Sequence, residues 1–331
     1  MRYRSLAVLG ANSFAGAGFI PAALDRFENV TGINRSAEGP DFFLPYKKHQ
    51  RREHYRFVQA DINLDQDRIL ALLDEIKPEV VVDLAGQGMV AESWGDPAQW
   101  YQTNVLAKVR ILEQLRRRPW LKRYVRVSTP EVYGSHDQPI TEDAAYRPST
   151  PYAISHAAID MHALALHRQY GFPVLLARFA NFYGPGQQLY RIVPRTILYS
   201  KSRRKLPLHG GGTSVRAFIH VSDVAQALCR TIECGVAGET YHFSPNSFLS
   251  IRDAVTAICD ELKQPFAALV QESADRPGKD HAYLMDSAKA RAALEWREEF
   301  DFREGVRQTI GWIETHFASM QSLSWDYIHK T

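Results

Sequence analysis

Short apolar runs alternate with helix-like segments over the first 180 residues, and this alternation constrains the fold more than any other feature. Runs typical of buried strands occupy residues 5–9, 30–33, 57–60, 80–85, 124–128 and 174–179. Between them, apolar residues recur at helical spacing in residues 16–27, 66–76, 97–117 and 152–170. Strands that alternate with helices pair in parallel and carry helices on both faces. The sequence therefore predicts an α/β fold with a doubly wound parallel sheet.

The alternation weakens after residue 180, where loops lengthen and strong strands become fewer. We predict that residues 1–180 form a Rossmann-type domain and that residues 215–235 return to it. Residues 181–214 and 236–331 are predicted to form a smaller C-terminal α/β region that binds the substrate. Ligands of such sheets bind outside the carboxyl ends of the strands, so the residues after each strand are the first candidates for a site.

Charge and cysteine content narrow the class of ligand and partner. A net charge of +3 over 331 residues is too small to indicate nucleic acid, although it suits an anionic small molecule. Three cysteines without metal-site spacing indicate reduced thiols, a cytoplasmic location and no metal centre. No stretch is long and apolar enough to predict a membrane span, so no membrane partner is expected.

The turn after the first strand predicts a site for NAD or NADP. Its small residues allow the backbone to approach a pyrophosphate, and the start of the next helix favours the negative charge. The candidate cofactor contacts in this turn are Gly10, Asn12, Ser13, Phe14, Ala15 and Gly16. Ser13 stands where the usual motif has its middle glycine. The alternative is a tight strand–helix turn that binds no ligand.

The residues after the second and third strands bear on the choice of cofactor. An acidic residue after the second strand would bind the ribose 2′-hydroxyl of NAD, but this chain has Asn34 followed by Arg35. A neutral residue beside a guanidinium tolerates a 2′-phosphate, which favours NADP slightly over NAD. Arg35 could instead point into solvent. Asp61 and Ile62 are candidates for the adenine contact, although Asp61 could equally cap a helix.

Two motifs carry the chemistry. Residues 128–134 read STPEVYG after the fifth strand, and the following long helix opens with YAISH at residues 152–156. In these motifs the chain resembles the extended short-chain dehydrogenase/reductase family, most closely its nucleotide-sugar 4,6-dehydratases. The resemblance extends over nearly the whole chain and includes residues 181–188, 216–223 and 275–280.

The resemblance implies a role for each reactive residue. Tyr152 takes the proton of the sugar 4-hydroxyl while hydride leaves for the nicotinamide, and Thr129 holds the 4-oxygen. Glu131 removes the acidified hydrogen at C5, water leaves from C6, and the hydride returns to C6. The cofactor is thus recycled within each turnover. The threonine–glutamate pattern also occurs in related decarboxylases, so it does not by itself fix the reaction.

The chain departs from the family pattern at two positions. Pro130 stands where many of these dehydratases have an aspartate that protonates the departing hydroxyl, so we assign both steps to Glu131. His156 stands in place of the usual lysine, four residues after Tyr152 and therefore on the same face of the helix. We hypothesise that His156 takes the place of the lysine at the nicotinamide ribose, with a weaker effect on the pKa of the tyrosine.

The remaining candidates follow from the same resemblance. Ala85 and Gln87, after the fourth strand, are predicted to face the cofactor. The predicted contacts to a nucleotide-diphosphate sugar, besides Thr129, are Glu92, Ser93, Asn181, Arg191, Arg216 and Arg276. A homodimer through the helices at 97–117 and 152–170 is expected. The alternatives to dehydration are a nucleotide-sugar 4-epimerase, another oxidative sugar-nucleotide modifier, and an NAD(P)-binding protein without catalysis.

Overall fold

The computed structural model of the chain describes residues 3–274 and 282–329. Its strands are β1 (Ser5–Leu9), β2 (Asn29–Asn34), β3 (Tyr55–Gln59), β4 (Val80–Asp83), β5 (Arg123–Ser128), β6 (His136–Ile140), β7 (Val174–Phe179), β8 (Asn181–Tyr183), β9 (Leu206–His209), β10 (Val215–His220), β11 (Thr240–Phe243), β12 (Phe248–Ser250), β13 (Val270–Ser273) and β14 (Tyr283–Met285). Seven of them form one parallel sheet in the order β11-β7-β5-β4-β1-β2-β3. The predicted doubly wound α/β fold is confirmed.

The helices connect and cover these strands. They are α1 (Phe14–Leu24), α2 (Gln66–Ile76), α3 (Pro97–Tyr101), α4 (Ala107–Leu115), α5 (Pro151–Tyr170), α6 (Ile192–Lys201), α7 (Val221–Cys234), α8 (Ile251–Glu261), α9 (Phe266–Leu269), α10 (Ala288–Ala293) and α11 (Phe302–Met320). Among the described residues, no helix combines the length and apolar character needed to cross a membrane.

The two faces of the large sheet bury separate cores. On one face the strands pack against α1 and α7, which contribute Phe19, Ile20 and Leu228. On the other they pack against α2, α4 and α5, where Leu73 and Ile111 are buried. From β1 the chain passes through α1 to β2 on one side, whereas β4 lies on the other side of β1. The strand order therefore reverses between β1 and β4. Such a reversal opens a crevice at the carboxyl ends of the strands, where ligands of this fold bind.

The second region covers that crevice. Helices α6, α8 and α11 enclose a further core with strands β8 and β10, which pair in parallel. The antiparallel strand β12 completes this small sheet. Helix α7, within the segment predicted to return to the main domain, packs on the large sheet.

Two segments differ from the sequence-based expectation. Strand β11, in the segment assigned to the substrate region, pairs with β7 as the seventh strand of the large sheet. The run is only four residues long and two of them are polar, which explains why no strand was expected. The predicted continuous helix over 97–117 is broken into α3 and α4 by a π-helical turn, Gln102–Leu106. Single π turns inside helices are frequent at functional sites.

Candidate functional site

One continuous cavity of about 780 Å³ runs along the carboxyl ends of the strands. It extends from the turn before α1, past the ends of β4 and β5, to the covering region. This volume is within the range for sites that bind small molecules and cofactors. We call its side built by Thr129, Glu131, Tyr152 and His156 the sheet wall. Its opposite side, built by Arg191, Arg216, Tyr283 and Tyr327, is the cover wall.

Two glycines shape the turn that leads into α1. Gly10 has a φ of +82°, and an added Cβ would lie 2.7 Å from the backbone nitrogen of Ala85. An added Cβ at Gly16 would collide with the carbonyl oxygen of Gly10. Glycine is therefore required at both positions for the turn to pack against the end of β4. Neither glycine lines the cavity itself, so both act by shaping the backbone.

Ser13 fits the position of the missing middle glycine. Its φ is −65°, which any residue adopts, and its side chain accepts a hydrogen bond from the Gly16 amide as the N-cap of α1. Ser13, Phe14 and Ala15 line the cavity. The amides of a first helical turn have no partner within the helix. This end of α1 therefore suits the pyrophosphate of a dinucleotide.

The end of β2 is tied to the same turn by its side chains. Asn34 accepts from the Asn12 amide at 3.3 Å and donates to the Ser36 carbonyl oxygen at 3.1 Å. The Tyr46 hydroxyl lies 3.1 Å from the Asn12 side-chain oxygen and 2.9 Å from a carboxylate oxygen of Glu38. A carboxylate thus lies close to this turn, which the sequence analysis did not foresee.

Asp61 and Ile62, which follow β3, make contacts within the protein that account for an aspartate and an isoleucine at these positions. The Asp61 carboxylate accepts from the Asn63 amide at 2.7 Å and so closes a turn, rather than capping a helix. Ile62 is buried in the core beneath α2. Arg35, at the end of β2, is half-buried, which leaves open both its predicted cofactor contact and the solvent-facing alternative. None of these three side chains lines the cavity described above, which leaves their predicted adenosine contacts as predictions.

The loop after β4 is held by the π turn. Asn104 accepts from the Gln87 amide at 2.7 Å and donates to the Gln87 carbonyl oxygen at 3.0 Å. It also donates to Ser155, whose hydroxyl donates to the Tyr152 carbonyl oxygen. Ala85 and Gln87 line the cavity as predicted, and one buried asparagine fixes their loop relative to Tyr152. Sequence reasoning missed Asn104 because it lies inside a predicted helix.

The reactive side chains of the sheet wall meet at the end of β5. Thr129 caps a short 3₁₀ turn, Pro130–Tyr133, by accepting from the Glu131 amide at 3.3 Å. Thr129 also hydrogen-bonds the side chain of Tyr152, and all three residues line the cavity. The sequence motifs 20 residues apart are therefore brought into one cluster by the parallel sheet.

Tyr152 does not ionise easily in this chain. Burial and the negative charge of Glu131 raise the pKa of the Tyr152 phenol, while the Thr129 hydrogen bond lowers it. Arg191, on the opposite wall, also lowers it. Because the raising effects dominate, the side chain needs further positive charge nearby to act as a base at neutral pH.

His156 lies against Tyr152, with the ring centroids 4.6 Å apart. Its Nδ1 is 3.1 Å from a guanidinium nitrogen of Arg126, which is fully buried in β5. Burial and the charges of Arg126, Lys108 and Arg178 hold the pKa of His156 well below its usual range. His156 is therefore neutral at physiological pH.

Arg126 belongs to a set of five ionised side chains that bond one another beneath the sheet wall. We call Asp83, Lys108, Arg126, Asp160 and Arg178 the buried charge network. Its shortest ion pairs are Lys108 with Asp83 at 2.7 Å and Arg126 with Asp160 at 2.8 Å. Burial lowers the pKa of Lys108 to about 8 against the opposing effect of Asp83. Isolated from water, these charges are stable only as a connected set.

The cover wall presents aromatic rings and arginines. The Arg216 guanidinium lies 4.1 Å from the centroid of the Tyr283 ring, and the Tyr283 hydroxyl donates to Asn181 at 3.1 Å. Arg191 precedes α6 and is exposed at the mouth of the cavity. Asn181, Arg191 and Arg216 line the cavity, as the sequence predicts for groups that meet a diphosphate. Tyr283 was missed because no motif marks it.

The loop before α3 contains two predicted substrate residues, Glu92 and Ser93, whose surroundings differ. Glu92 lines the cavity, and one of its buried carboxylate oxygens has no hydrogen-bond partner among the described residues, so it can accept from a ligand hydroxyl. Ser93 does not line the cavity, so its predicted substrate contact stays a prediction. Its buried hydroxyl donates to the Val90 carbonyl oxygen and accepts from the Tyr152 amide at 3.2 Å. Ser93 therefore supports Tyr152.

A segment after α11 crosses the mouth of the cavity. Tyr327 lines the cavity, and its ring packs on Tyr190 at 5.2 Å. His329 stacks on Trp100 and lies 2.6 Å from the Gln99 side-chain oxygen. This segment links the covering region to α3 of the main domain, and no sequence signal predicted it. The predicted contact Arg276 lies outside the described residues.

The chain is similar to proteins of known activity over nearly its whole length. A family model described as GDP-mannose 4,6 dehydratase matches residues 8–309. The dTDP-glucose 4,6-dehydratase of Xanthomonas campestris pv. campestris is 31% identical over 334 residues, covering 96% of this chain and 95% of the relative.

Solved structures agree with this similarity. The dTDP-glucose 4,6-dehydratase from Streptomyces venezuelae, solved with NAD and TYD bound, superposes with a TM-score of 0.87 at 29% identity, covering 95% of this chain and 98% of that one. The dTDP-glucose 4,6-dehydratase from Bacillus anthracis, in complex with NAD, gives a TM-score of 0.86 at 28% identity with the same coverage.

Proposed function

The chain belongs to the GDP-mannose 4,6-dehydratase family and is a nucleotide-sugar 4,6-dehydratase, and on that premise we propose how its own residues perform the reaction. The product of the reaction is a 4-keto-6-deoxy sugar nucleotide. The observation that carries the proposal is the cluster of Thr129, Glu131 and Tyr152 at one point of the cavity, beside a helix start suited to a pyrophosphate.

Tyr152 acts as the base in the oxidation step. The start of α1, with Ser13, Phe14 and Ala15, would hold a nicotinamide dinucleotide, and its oxidised ring would supply the hydride acceptor and a positive charge near Tyr152. Tyr152 removes the proton of the 4-hydroxyl, and Thr129, which lies beside the Tyr152 phenol, hydrogen-bonds the 4-oxygen and holds it in line. The raised pKa of Tyr152 means that the side chain works as a base only when the cofactor is in place.

Glu131 performs the elimination step. It takes the proton from C5 after the 4-ketone has acidified that position, and it then protonates the departing 6-hydroxyl. Pro130, in place of the aspartate of many relatives, offers no proton, and Glu131 is the carboxylate of the sheet wall. One group that accepts a proton and then donates it needs no net proton exchange with water.

The cofactor is proposed to be NAD. Asn34 and Arg35 by themselves predict a slight preference for NADP, as argued from the sequence. The Glu38 carboxylate, linked to Asn12 through the Tyr46 hydroxyl, places negative charge near the same turn and disfavours a 2′-phosphate. The two similar dehydratase structures described above carry NAD. Titration calorimetry of the cofactor-stripped protein should give tighter binding of NAD than of NADP.

Substrate recognition is assigned to the cover wall. Asn181, Arg191 and Arg216 are proposed to meet the diphosphate and Glu92 the sugar side, while Arg276 remains a sequence-based proposal. The sheet domain then holds the cofactor and the covering region holds the nucleotide. The substrate class is a nucleotide-diphosphate hexose, and dTDP-glucose is the first candidate because relatives of that name cover most of the chain.

Glu131→Gln tests the assignment of roles. We expect the variant to oxidise C4 and accumulate reduced nicotinamide, but to release no 4-keto-6-deoxy product. The matched control is Glu92→Gln, which changes a carboxylate of the same cavity and should raise KM while product still forms. Full turnover by Glu131→Gln would show that another group performs the elimination. Isomerised sugar with no dehydration in the parent protein would favour the 4-epimerase alternative.

A homodimer through α5 and the α3–α4 segment is also proposed. Large apolar side chains are exposed on these elements, and they are Leu106, Ile154 and Met161. Exposed apolar side chains grouped on two helices are typical of a surface that pairs with a second copy. Light scattering of the purified protein should report twice the mass of one chain. Met161→Glu should convert it to a monomer, whereas Val236→Glu, at an exposed position after α7 on the other side of the sheet, should not.

A further inference from the structure

The interaction between Arg126 and His156 has a chemical consequence that the family pattern does not contain. Arg126 is fully buried, and one of its guanidinium nitrogens lies 3.1 Å from Nδ1 of His156. A guanidinium has only hydrogen-bond donors. Nδ1 must therefore be the acceptor, which leaves the ring proton on Nε2. His156 lines the cavity, so Nε2–H is the donor that a ligand can meet.

The charges around His156 make this neutral form stable. Arg126 from β5, Lys108 from α4 and Arg178 from β7 all act against protonation of the ring. The carboxylates of the same network are Asp83 and Asp160, and both are already paired with these cations. Tyr152 is the remaining titratable neighbour on α5 itself, and its ring packs against His156.

The buried charge network already carries three cations and two carboxylates. A lysine at position 156 would add a second excess positive charge next to Arg126 in a region closed to water. Lys108 shows how unfavourable a cation is at this depth, because burial, with a smaller contribution from Arg126, lowers its pKa despite an ion pair at 2.7 Å. The usual lysine is therefore incompatible with Arg126 at its present place.

We propose that Arg126 is the positioning residue that fixes His156 as a neutral Nε2–H donor, and that Arg126 together with His156 replaces the single lysine of related enzymes. The inference rests on the proposed function, since the donor is meant for the nicotinamide ribose. A lysine at position 156 would carry its positive charge to the ribose. In this chain the positive charge lies instead on Arg126, the buried neighbour of His156. His156 supplies the hydrogen bond and Arg126 supplies its orientation and the nearby charge.

The first test reads the tautomer directly. Nitrogen-15 NMR of the histidine-labelled protein distinguishes a ring nitrogen that carries a proton from one that does not. We expect the resonance that disappears in His156→Gln to show a bare Nδ1 and a protonated Nε2 from pH 6 to pH 8. A proton on Nδ1, or a doubly protonated ring at pH 7, would overturn the proposal whether or not the protein dehydrates sugars.

The second test exchanges the two partners. His156→Lys alone and Arg126→Met alone should each lower kcat roughly 10- to 100-fold, the range seen when a partner that orients a histidine is removed from metal sites. The double variant, with one cation again at the site, should recover most of that loss. Additive losses, or a His156→Lys variant more active than the parent, would contradict the proposal.

A matched control separates positioning from simple structural damage. Arg178→Met removes another cation of the network, one that pairs with Asp160 but does not bond His156. It should destabilise the protein and move the kcat–pH profile less than Arg126→Met does, because Arg178 has the smallest effect among the three cations that lower the pKa of His156. Arg126→Met should instead shift the ionisation of His156 to higher pH, because it removes the cation with the largest effect on that pKa, although burial still holds the pKa below its ordinary value. If neither variant folds, the NMR experiment on the parent protein still decides.

Discussion

The two walls of the cavity use the same residue types in opposite ways. Behind the sheet wall, arginine, lysine and aspartate are buried together and bond one another at fixed distances. On the cover wall, Arg191 is exposed and Arg216 lies over the ring of Tyr283. A reaction that moves a proton and a hydride needs rigid placement, whereas a flexible, charged diphosphate needs adaptable donors. Changes in the first wall should therefore act on kcat, and changes in the second on KM.

The largest effect is expected at Tyr152. Tyr152→Phe removes the base of the oxidation step, and general-base catalysis contributes roughly 10²–10⁴ in rate. We expect a loss of that size in kcat, with KM changed little, from initial-rate kinetics. Tyr190→Phe removes a hydroxyl from the cover side of the same cavity and should retain kcat. Equal losses of kcat in Tyr152→Phe and Tyr190→Phe would show that the two walls do not differ in their effect on kcat.

The buried charge network is expected to govern stability. Asp160→Asn leaves Arg126 and Arg178 without their shared carboxylate, and breaking one partner of a buried ion pair costs about 3–5 kcal/mol. Urea unfolding followed by circular dichroism measures this loss. Asp260→Asn breaks an exposed ion pair with Arg303, and its midpoint should match the parent. A small loss at Asp160 would mean that water reaches the network.

The cover wall should respond in substrate affinity. Arg216→Gln removes a cation proposed to bind the diphosphate, and hydrogen bonds to charged groups contribute roughly 1.5–3 kcal/mol. We expect KM to rise about 10- to 100-fold with kcat nearly retained. The matched change Arg303→Gln, at an exposed position in the first turn of α11, should leave both KM and kcat unchanged. A fall in kcat with KM unchanged in Arg216→Gln would show that Arg216 acts in the chemical step, as the residues of the sheet wall do.

Acid should lower the free energy of unfolding of the protein because several of its histidines are buried. Burial lowers the pKa of His220 to about 4 and that of His242 to about 3, and His156 is held well below its usual range. The unfolded chain binds protons below about pH 6.5 that the folded chain cannot, so stability falls as pH decreases through that window. Each histidine contributes ~1.4 kcal/mol per pH unit.

The buried carboxyl of Asp223 opposes this trend. Burial raises the pKa of Asp223 to about 6, so between about pH 4 and pH 6 the folded chain holds a proton there that the unfolded chain has lost. Asp223 therefore offsets part of the loss that the histidines cause between about pH 4 and pH 6. Urea midpoints at pH 7.5, 6.5 and 5.5 measure it, and His220→Gln should flatten the curve. A pH-independent midpoint would show that the histidines are hydrated.

Much of the sheet wall could be predicted from the sequence because its residues follow strands in short motifs. Thr129, Glu131 and Tyr152 were placed correctly together at the cavity, since a parallel sheet brings the ends of its strands to one edge. Arg126 and Asp160 could not be found in this way. A charged residue within a strand or helix pattern is ordinarily taken to face water, and only the packing shows that these two face each other.

The cover wall was harder to predict for a different reason. Tyr283 and Tyr327 come from segments far apart in the chain, and no local pattern marks them as cavity residues. Ser93 makes a contact that its position in a predicted substrate loop did not reveal, since its hydroxyl accepts from the Tyr152 amide. Strand β11 was missed because four residues with two polar side chains carry too weak a signal.

The most direct test of the central claim is mass spectrometry of products formed from a panel of nucleotide-diphosphate hexoses, incubated with the purified protein without added cofactor. A dehydratase that retains and recycles its nicotinamide dinucleotide will convert one member of the panel to a species lighter by one water. Unchanged mass across the whole panel, in protein shown to contain the cofactor, would contradict the account.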